Sequence, residues 1–369
     1  MTLKKKILVT VTSLLALAIV IFAFVISHDS PCVAPPALAE GKAGMKAMVR
    51  TCYGGPDKLT LATLEKPEPV ENQVLVKVRV ASVNPYDWHM MTGKPYIVRM
   101  MTGIGAPDWI RVGGDFSGTV VAVGPAVEHL RVGDDVFGTA GGAFGEYVLA
   151  REGGSIAKKP ANLSHEEAAA IPIAAITALQ GLRDQGKLVT GQKVLINGAS
   201  GGVGTYAVQI AKAMGAEVTG VCSTRNVELV RSLGAARVID YTREDFTRRD
   251  ERYDLIVDNV GNHAPLDLDD VLNPGGRVVI IGGPKDDPWI GPLIRPIQGA
   301  VLSKFMETQF ITFIADVTEA DLLHLAALAS AGQVRSSIER RYRLDQVPEA
   351  LAHIGSRRAR GKVVVNVAQ

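Results

Sequence analysis

One stretch constrains this chain more than any other. Lys193-Val-Leu-Ile-Asn197 has the apolar character of a short buried strand and passes at once into Gly198-Ala199-Ser200-Gly201-Gly202-Val203-Gly204. Thr205 to Met214 then follows a strongly helical pattern. Strand, glycine turn and helix in immediate succession open a βαβ unit, and the flanking elements make the glycine string specific. One glycine permits the tight turn, one lets backbone approach a pyrophosphate, and one allows close packing of helix on strand. The helix N-terminus then faces the anion. Further strand-like runs at 217–221, 237–240, 254–258 and 277–281, with helical stretches between them, predict a parallel, doubly wound α/β sheet.

About twenty residues beyond such a turn, chains that bind NAD carry an Asp or Glu for the ribose hydroxyls. This chain has Cys222-Ser223-Thr224-Arg225 there. Ser223 can hydrogen-bond and Arg225 can hold an added 2′-phosphate, which a carboxylate would repel. NADP (NADPH) is the expected cofactor.

The N-terminus differs in kind. Lys4-Lys5-Lys6 precedes an uncharged run from Ile7 to Ser27, roughly twenty residues that as a helix reach about 30 Å, enough to cross a bilayer. A single-pass N-terminal transmembrane helix is expected. A cleaved secretory signal is the alternative, with Ala37-Leu38-Ala39 as its small-residue site. Residues 28–44 read as a linker. Three lysines before the span favour a cytoplasmic N-terminus and a soluble part on the far side, where NADPH is not expected.

Composition narrows the partners. With 40 basic against 38 acidic residues the net charge is +2, so nothing favours nucleic acid or a polyanionic substrate. Cys32, Cys52 and Cys222 are widely spaced without a C-x-x-C pair, so neither a disulfide framework nor a cysteine zinc cage is expected. From Lys46 to Val148, short apolar runs such as Val74 to Val80 and Gly118 to Gly124 lie between Gly, Pro and Asn, which predicts a β-rich domain. Toward the C-terminus, helices over 319–330 and 346–355 and a strand over 362–367 are expected.

From about Met45 onward the chain resembles the medium-chain dehydrogenase/reductase superfamily, in its zinc-free quinone-oxidoreductase and enoyl-reductase-like branch. The motifs are Ser82-Val-Asn-Pro-Tyr-Asp87, Gly113-Gly-Asp-Phe-Ser-Gly118, Val132-Gly-Asp-Asp-Val-Phe-Gly138, Ala168-Ala-Ala-Ile-Pro172, the cofactor turn and Ala359-Arg-Gly-Lys-Val-Val364. The resemblance implies a GroES-like β domain packed on a Rossmann domain, with the active site between them. Boundaries follow as 1–44 for anchor and linker, 45–168 for the GroES-like domain, 169–304 for the Rossmann domain, and 305–369 for a segment returning to the first domain. It also implies cofactor contacts from Thr177, Tyr241, Arg360 and Lys362, beside the turn itself; Asn259, Gly261, Ile281 and Gly282 are expected to contact the cofactor because they stand at the carboxyl ends of parallel strands. Zinc members of the superfamily place a Cys where Asn84 stands and a His-Glu pair where Gly114-Asp115 stands, so no metal is expected. A homodimer is common in the family.

Without zinc, position, a carbonyl-polarising donor and a proton source remain for the protein to supply. The Asn84 amide is the candidate donor, with Asp87 orienting its turn. Tyr96 and His89 are the candidate proton donors, and residues 96–109 are expected to line or cover an apolar pocket. The expected reaction is hydride transfer from NADPH to a quinone, enal or enone. Alcohol/aldehyde redox chemistry and a redox-silent NADPH-binding role are the alternatives.

Overall fold

The strand Lys193–Asn197 lies at the centre of a six-stranded parallel sheet, and it is buried on both faces, as its unbroken apolar run requires. The computed structural model of the protein describes residues 2–283, 287–289 and 291–367. Its first helix, α1 (Leu3–Ser27), is followed by β1 (Gly44–Val49) and β2 (Thr60–Glu65), which pair antiparallel. Then come β3 (Gln73–Val83), α2 (Pro85–Thr92), α3 (Arg99–Thr102), β4 (Asp115–Val123), β5 (Asp135–Thr139), β6 (Tyr147–Arg151) and β7 (Ile156–Lys158). Helices α4 (His165–Ala169) and α5 (Pro172–Gln180) lead into β8 (Lys193–Asn197) and α6 (Gly202–Ala213). The rest of the parallel sheet is β9 (Glu217–Cys222), β10 (Arg237–Asp240), β11 (Tyr253–Asp258), β12 (Leu272–Ile280) and β13 (Gln309–Thr312). Its order is β10-β9-β8-β11-β12-β13, a doubly wound Rossmann arrangement.

The second sheet runs β14 (Ile338–Arg343), β15 (Lys362–Asn366), β3, β4, β5, β7, with β6 also on β3. Strand β15 pairs antiparallel with β3, so the end of the chain closes the GroES-like domain. Two elements differ from the sequence reading. The return begins later than residue 305, because β13 pairs with β12 and the helix Glu319–Ser330 packs Leu322 and Leu325 into the core that holds Val194. Strand β14 was not foreseen, since Ile-Glu-Arg-Arg-Tyr-Arg carries the charge of an exposed edge strand.

The cysteine expectation is overturned. Cys32 and Cys52 form a disulfide, their Cα atoms 4.7 Å apart, while Cys222 is free and buried. Their spacing concealed this because residues 28–43 fold back onto the catalytic domain and are no free linker. Ser30 N–H donates to the Gly105 carbonyl at 2.8 Å, and the Thr51 hydroxyl donates to the Val33 carbonyl at 2.6 Å. Arg99, 1% exposed, donates to the Ile26 and His28 carbonyls and pairs with Asp29 at 2.7 Å.

Candidate active site

The glycine turn has the geometry that a pyrophosphate cradle needs. Gly198 has φ +77°, the left-handed region that a side chain disfavours. A Cβ on Gly204 would stand 2.1 Å from the Gly198 carbonyl oxygen, so only glycine lets α6 approach β8 this closely. A Cβ on Gly201 would meet nothing nearer than 3.5 Å, which leaves open space over the first turn of α6, where Gly202, Val203 and Gly204 present N–H groups.

The ends of β9, β10, β11 and β12 converge beside this turn. Asn226 Nδ2 donates to the hydroxyls of Ser200 and Ser223 at 3.0 and 3.2 Å, joining turn and β9 end. Arg225 is exposed and donates to the Arg358 carbonyl at 2.9 Å, and Arg360 is exposed nearby in the chain. Tyr241, after β10, is 62% exposed. On the other side, Asn259 donates to the Asn197 carbonyl, yet its own buried Oδ1 has no partner. An orphaned acceptor next to an open turn suits a hydroxyl-bearing ligand, so the residues fit a dinucleotide. Gly261 N–H donates to Asp258, and Ile281 and Gly282 N–H groups donate to the Asp258 carbonyl, so the loops after β11 and β12 are tied together. Thr177 lies on α5, its hydroxyl donating to the Ile173 carbonyl at 2.7 Å.

Beneath the inter-domain surface lies a buried polar network. Asn84 Nδ2 donates to Asp115 Oδ2 at 2.9 Å, and the Lys362 amine donates to Asn84 Oδ1 at 2.6 Å. Ser82 and the Ile173 N–H complete the Asp115 carboxylate at 3.1 and 3.2 Å. Asn84, Asp115 and Lys362 are each at most 2% exposed. Burial pushes the Asp115 carboxyl up and the Lys362 amine down, while their mutual attraction at 3.7 Å opposes both. The Asn84 amide is therefore committed on both atoms, and the geometry makes it a wall of the site, not an exposed donor. Asp87 orients the turn, accepting from Asn84 N–H at 2.8 Å. The Lys362 stem passes 3.5 Å from a Cβ position on Gly202, and Gly361 N–H donates to the Ser200 carbonyl, so this corner supports the glycine turn while its amine points to Asn84.

The residues Pro85, Trp88, His89 and Thr92 occupy one face of α2 and line a cavity of about 590 Å³, while Asp87 and Met91 on the opposite face are buried. Tyr53, Arg99, Pro288 and Ile354 close it from other elements. His89 Nδ1 donates to the Lys94 carbonyl at 2.7 Å, the tautomer a carbonyl partner requires. Tyr96 lies behind Arg99, whose guanidinium stacks 4.7 Å from its ring, and Tyr96 meets Trp289 edge-on at 4.9 Å. The structure thus brings His89 into the cavity and gives Tyr96 a bridging place between domains. Residues 96–109 divide: Arg99 faces the cavity, whereas Met100, Met101, Ile104 and Trp109 face outward at 56–74% exposure.

Residues 70–161 match the model of the alcohol dehydrogenase GroES-like domain, and residues 233–365 match that of the zinc-binding dehydrogenases. The mitochondrial NAD(P)H oxidoreductase RTN4IP1 of Mus musculus is 35% identical over 328 residues, which cover 80% of this chain and 82% of that protein. The chain belongs to the medium-chain dehydrogenase/reductase superfamily. Within the superfamily it falls in the quinone-oxidoreductase-like branch. The chloroplast envelope quinone oxidoreductase homolog of Arabidopsis thaliana is 32% identical over 338 residues, 87% of this chain and 98% of that one. The structure of the quinone oxidoreductase from Coxiella burnetii superposes with TM-score 0.78 and 30% identity over 88% of this chain and 100% of that one. The chain is an oxidoreductase of this superfamily with a nicotinamide cofactor. Among the described residues, no three His, Cys, Asp or Glu side chains cluster as metal ligands.

Sequence reasoning on this medium-chain reductase missed two residues of the site. Asp115 looked isolated in sequence, yet it is the hub of the buried network. Tyr86, half exposed, lies 3.7 Å from a Cβ position on Gly114, on the surface between the domains. Its place after the Asn84-Pro85 step was the available signal.

Proposed function

We propose that this protein is an NADPH-dependent reductase that transfers hydride, without zinc, to a quinone or an α,β-unsaturated carbonyl. The observation that supports the reading is the end of β9, where Ser223 is joined to the glycine turn through Asn226 and Ser200 and Arg225 follows it, in place of the Asp or Glu of NAD-binding chains. Asp240, at the end of the neighbouring β10, accepts from the Thr224 hydroxyl at 2.6 Å and from the Thr242 N–H at 3.0 Å. The amides of Gly202, Val203 and Gly204 bind pyrophosphate, and Ser223, Arg225, Tyr241 and Arg360 grip the phosphorylated ribose. Thr177, Asn259, Gly261, Ile281 and Gly282 border the nicotinamide half. When bound, NADPH supplies the hydride.

The zinc-free reading rests on residue chemistry. Asn84 is tied to Asp115 and Lys362, and Gly114 has no side chain, so the family's metal position lacks donors. No Lewis acid then activates a lone carbonyl, which favours acceptors whose conjugation already makes a carbon electrophilic. His89, on the wall of the cavity, is the side chain assigned to exchange a proton with an acceptor there.

The helix α1 anchors the protein in a membrane in this reading. Among the described residues it is the helix long and apolar enough to span one. Lys4 to Lys6 favour a cytoplasmic N-terminus, and the Cys32–Cys52 disulfide favours an oxidising compartment for the soluble part. Both support a catalytic domain on the far side, a reading that requires reduced nucleotide there.

Steady-state NADPH oxidation by the full-length protein, against benzoquinones, enones and simple aldehydes, tests the reading. Turnover with the first two classes is expected. Turnover confined to aldehydes, or tight NADPH binding with no turnover, overturns it.

A further inference from the structure

The end of α1 is fixed to the wall of the cavity. Within two residues of that helix, Asp29 lines the cavity and pairs with Arg99 at 2.7 Å. Arg99 also donates to the carbonyls of Ile26, in the last turn of α1, and of His28, and its guanidinium lies 4.5 Å from the Tyr53 ring and 4.7 Å from the Tyr96 ring. A cation closing a helix C-terminus is favourable, and here it is 1% exposed. The Cys32–Cys52 disulfide and the Ser30–Gly105 hydrogen bond hold the next residues to the same loop. Ile26 is 2% exposed, while Phe24 is 72% exposed, so α1 leaves the domain at this point.

The loop beside that exit carries exposed apolar side chains. Met100 and Met101, adjacent to Arg99, are 60% and 74% exposed, and Ile104 and Trp109 are 56% and 64% exposed. Ile104 precedes Gly105, whose carbonyl holds Ser30, and Trp109 follows Asp108, whose N–H donates to the Thr102 carbonyl, so these exposed apolar side chains belong to the loop that holds the root of α1. Tryptophan is suited to the boundary between headgroups and acyl chains.

We propose that Met100, Met101, Ile104 and Trp109 seat in the surface of the same bilayer that α1 crosses, so that the cavity beside Arg99 faces the membrane. The acceptor class that this placement admits is a lipid-dissolved one. The proposal rests on α1 being a membrane anchor, and the experiment separates the two.

The full-length protein is mixed with phosphatidylcholine vesicles carrying either ordinary or brominated acyl chains. Flotation reports the anchor. The fluorescence difference between the protein and Trp109→Phe, a conservative change at an exposed position, reports Trp109. Floating protein in which bromine quenches most of the emission that Trp109→Phe removes is the expected result. Floating protein whose Trp109 emission is unquenched overturns the seating and leaves the anchor standing. Protein that does not float removes the anchor, and the seating with it.

Discussion

The Lys362 amine lies 2.6 Å from Asn84 Oδ1 and 3.7 Å from Asp115 Oδ2, so the last strand is pinned to the start of α2 by a cation with 2% exposure. The same residue follows Gly361, which bonds the glycine turn through Ser200. Cofactor turn and catalytic domain thus share one corner.

Replacing that amine leaves the buried Asp115 carboxyl without the partner that favours its anion. Lys362→Met is expected to lower stability by about 3–5 kcal/mol in urea unfolding, the cost of orphaning one partner of a buried pair. Adding Asp115→Asn is expected to restore part of the loss, because the two positions are coupled. A loss below about 1 kcal/mol, typical of exposed pairs, contradicts the network.

Burial pushes the Asp87 carboxyl up to about 7, opposed by the Asn84 N–H that favours its anion. The folded protein therefore holds this proton more tightly than the unfolded chain, whose Asp titrates near pH ~4. Stability from this group is full below about pH 4 and is lost as pH rises through about 7. In Asp87→Asn that decline should flatten, as read from Tm across this range. An unchanged profile would show that Asp87 keeps an ordinary pKa.

Arg225→Asp puts a carboxylate where the 2′-phosphate is to sit. The ratio of kcat/KM for NADPH over NADH is expected to fall by roughly 10–100-fold, the worth of one or two charge-assisted hydrogen bonds. An unmoved ratio assigns Arg225 to holding the Arg358 carbonyl only.

What could be read from sequence was local. The glycine turn announced itself because every glycine and both flanking elements are contiguous, and the helix over 319–330 was bounded by its own pattern. The commitment of the Asn84 amide was hidden, since its partners Asp115 and Lys362 come from β4 and β15. The disulfide and the Arg99 cap were hidden for the same reason: they depend on residues 28–43 folding onto a distant loop. Strand β13 has only four residues, too few to show a period.

If α1 is the proposed anchor, the disulfide and the lysines before it predict a soluble domain outside the cytoplasm. Alkylation of intact cells should label neither Cys32 nor Cys52 before reduction, and protease added outside the cytoplasmic membrane should reach the soluble domain. Closing about twenty residues, the disulfide is expected to contribute about 3 kcal/mol, lost in Cys32→Ser with Cys52→Ser. Alkylated Cys32 and Cys52 with a protected domain would place the reductase in the cytoplasm.

Zinc-free hydride transfer from NADPH is tested most directly by the rate of NADPH oxidation with a benzoquinone acceptor, before and after exhaustive dialysis of the full-length protein against a metal chelator. An unchanged rate, well above that with NADH, is the predicted result; a rate abolished by the chelator and restored by added zinc would contradict it.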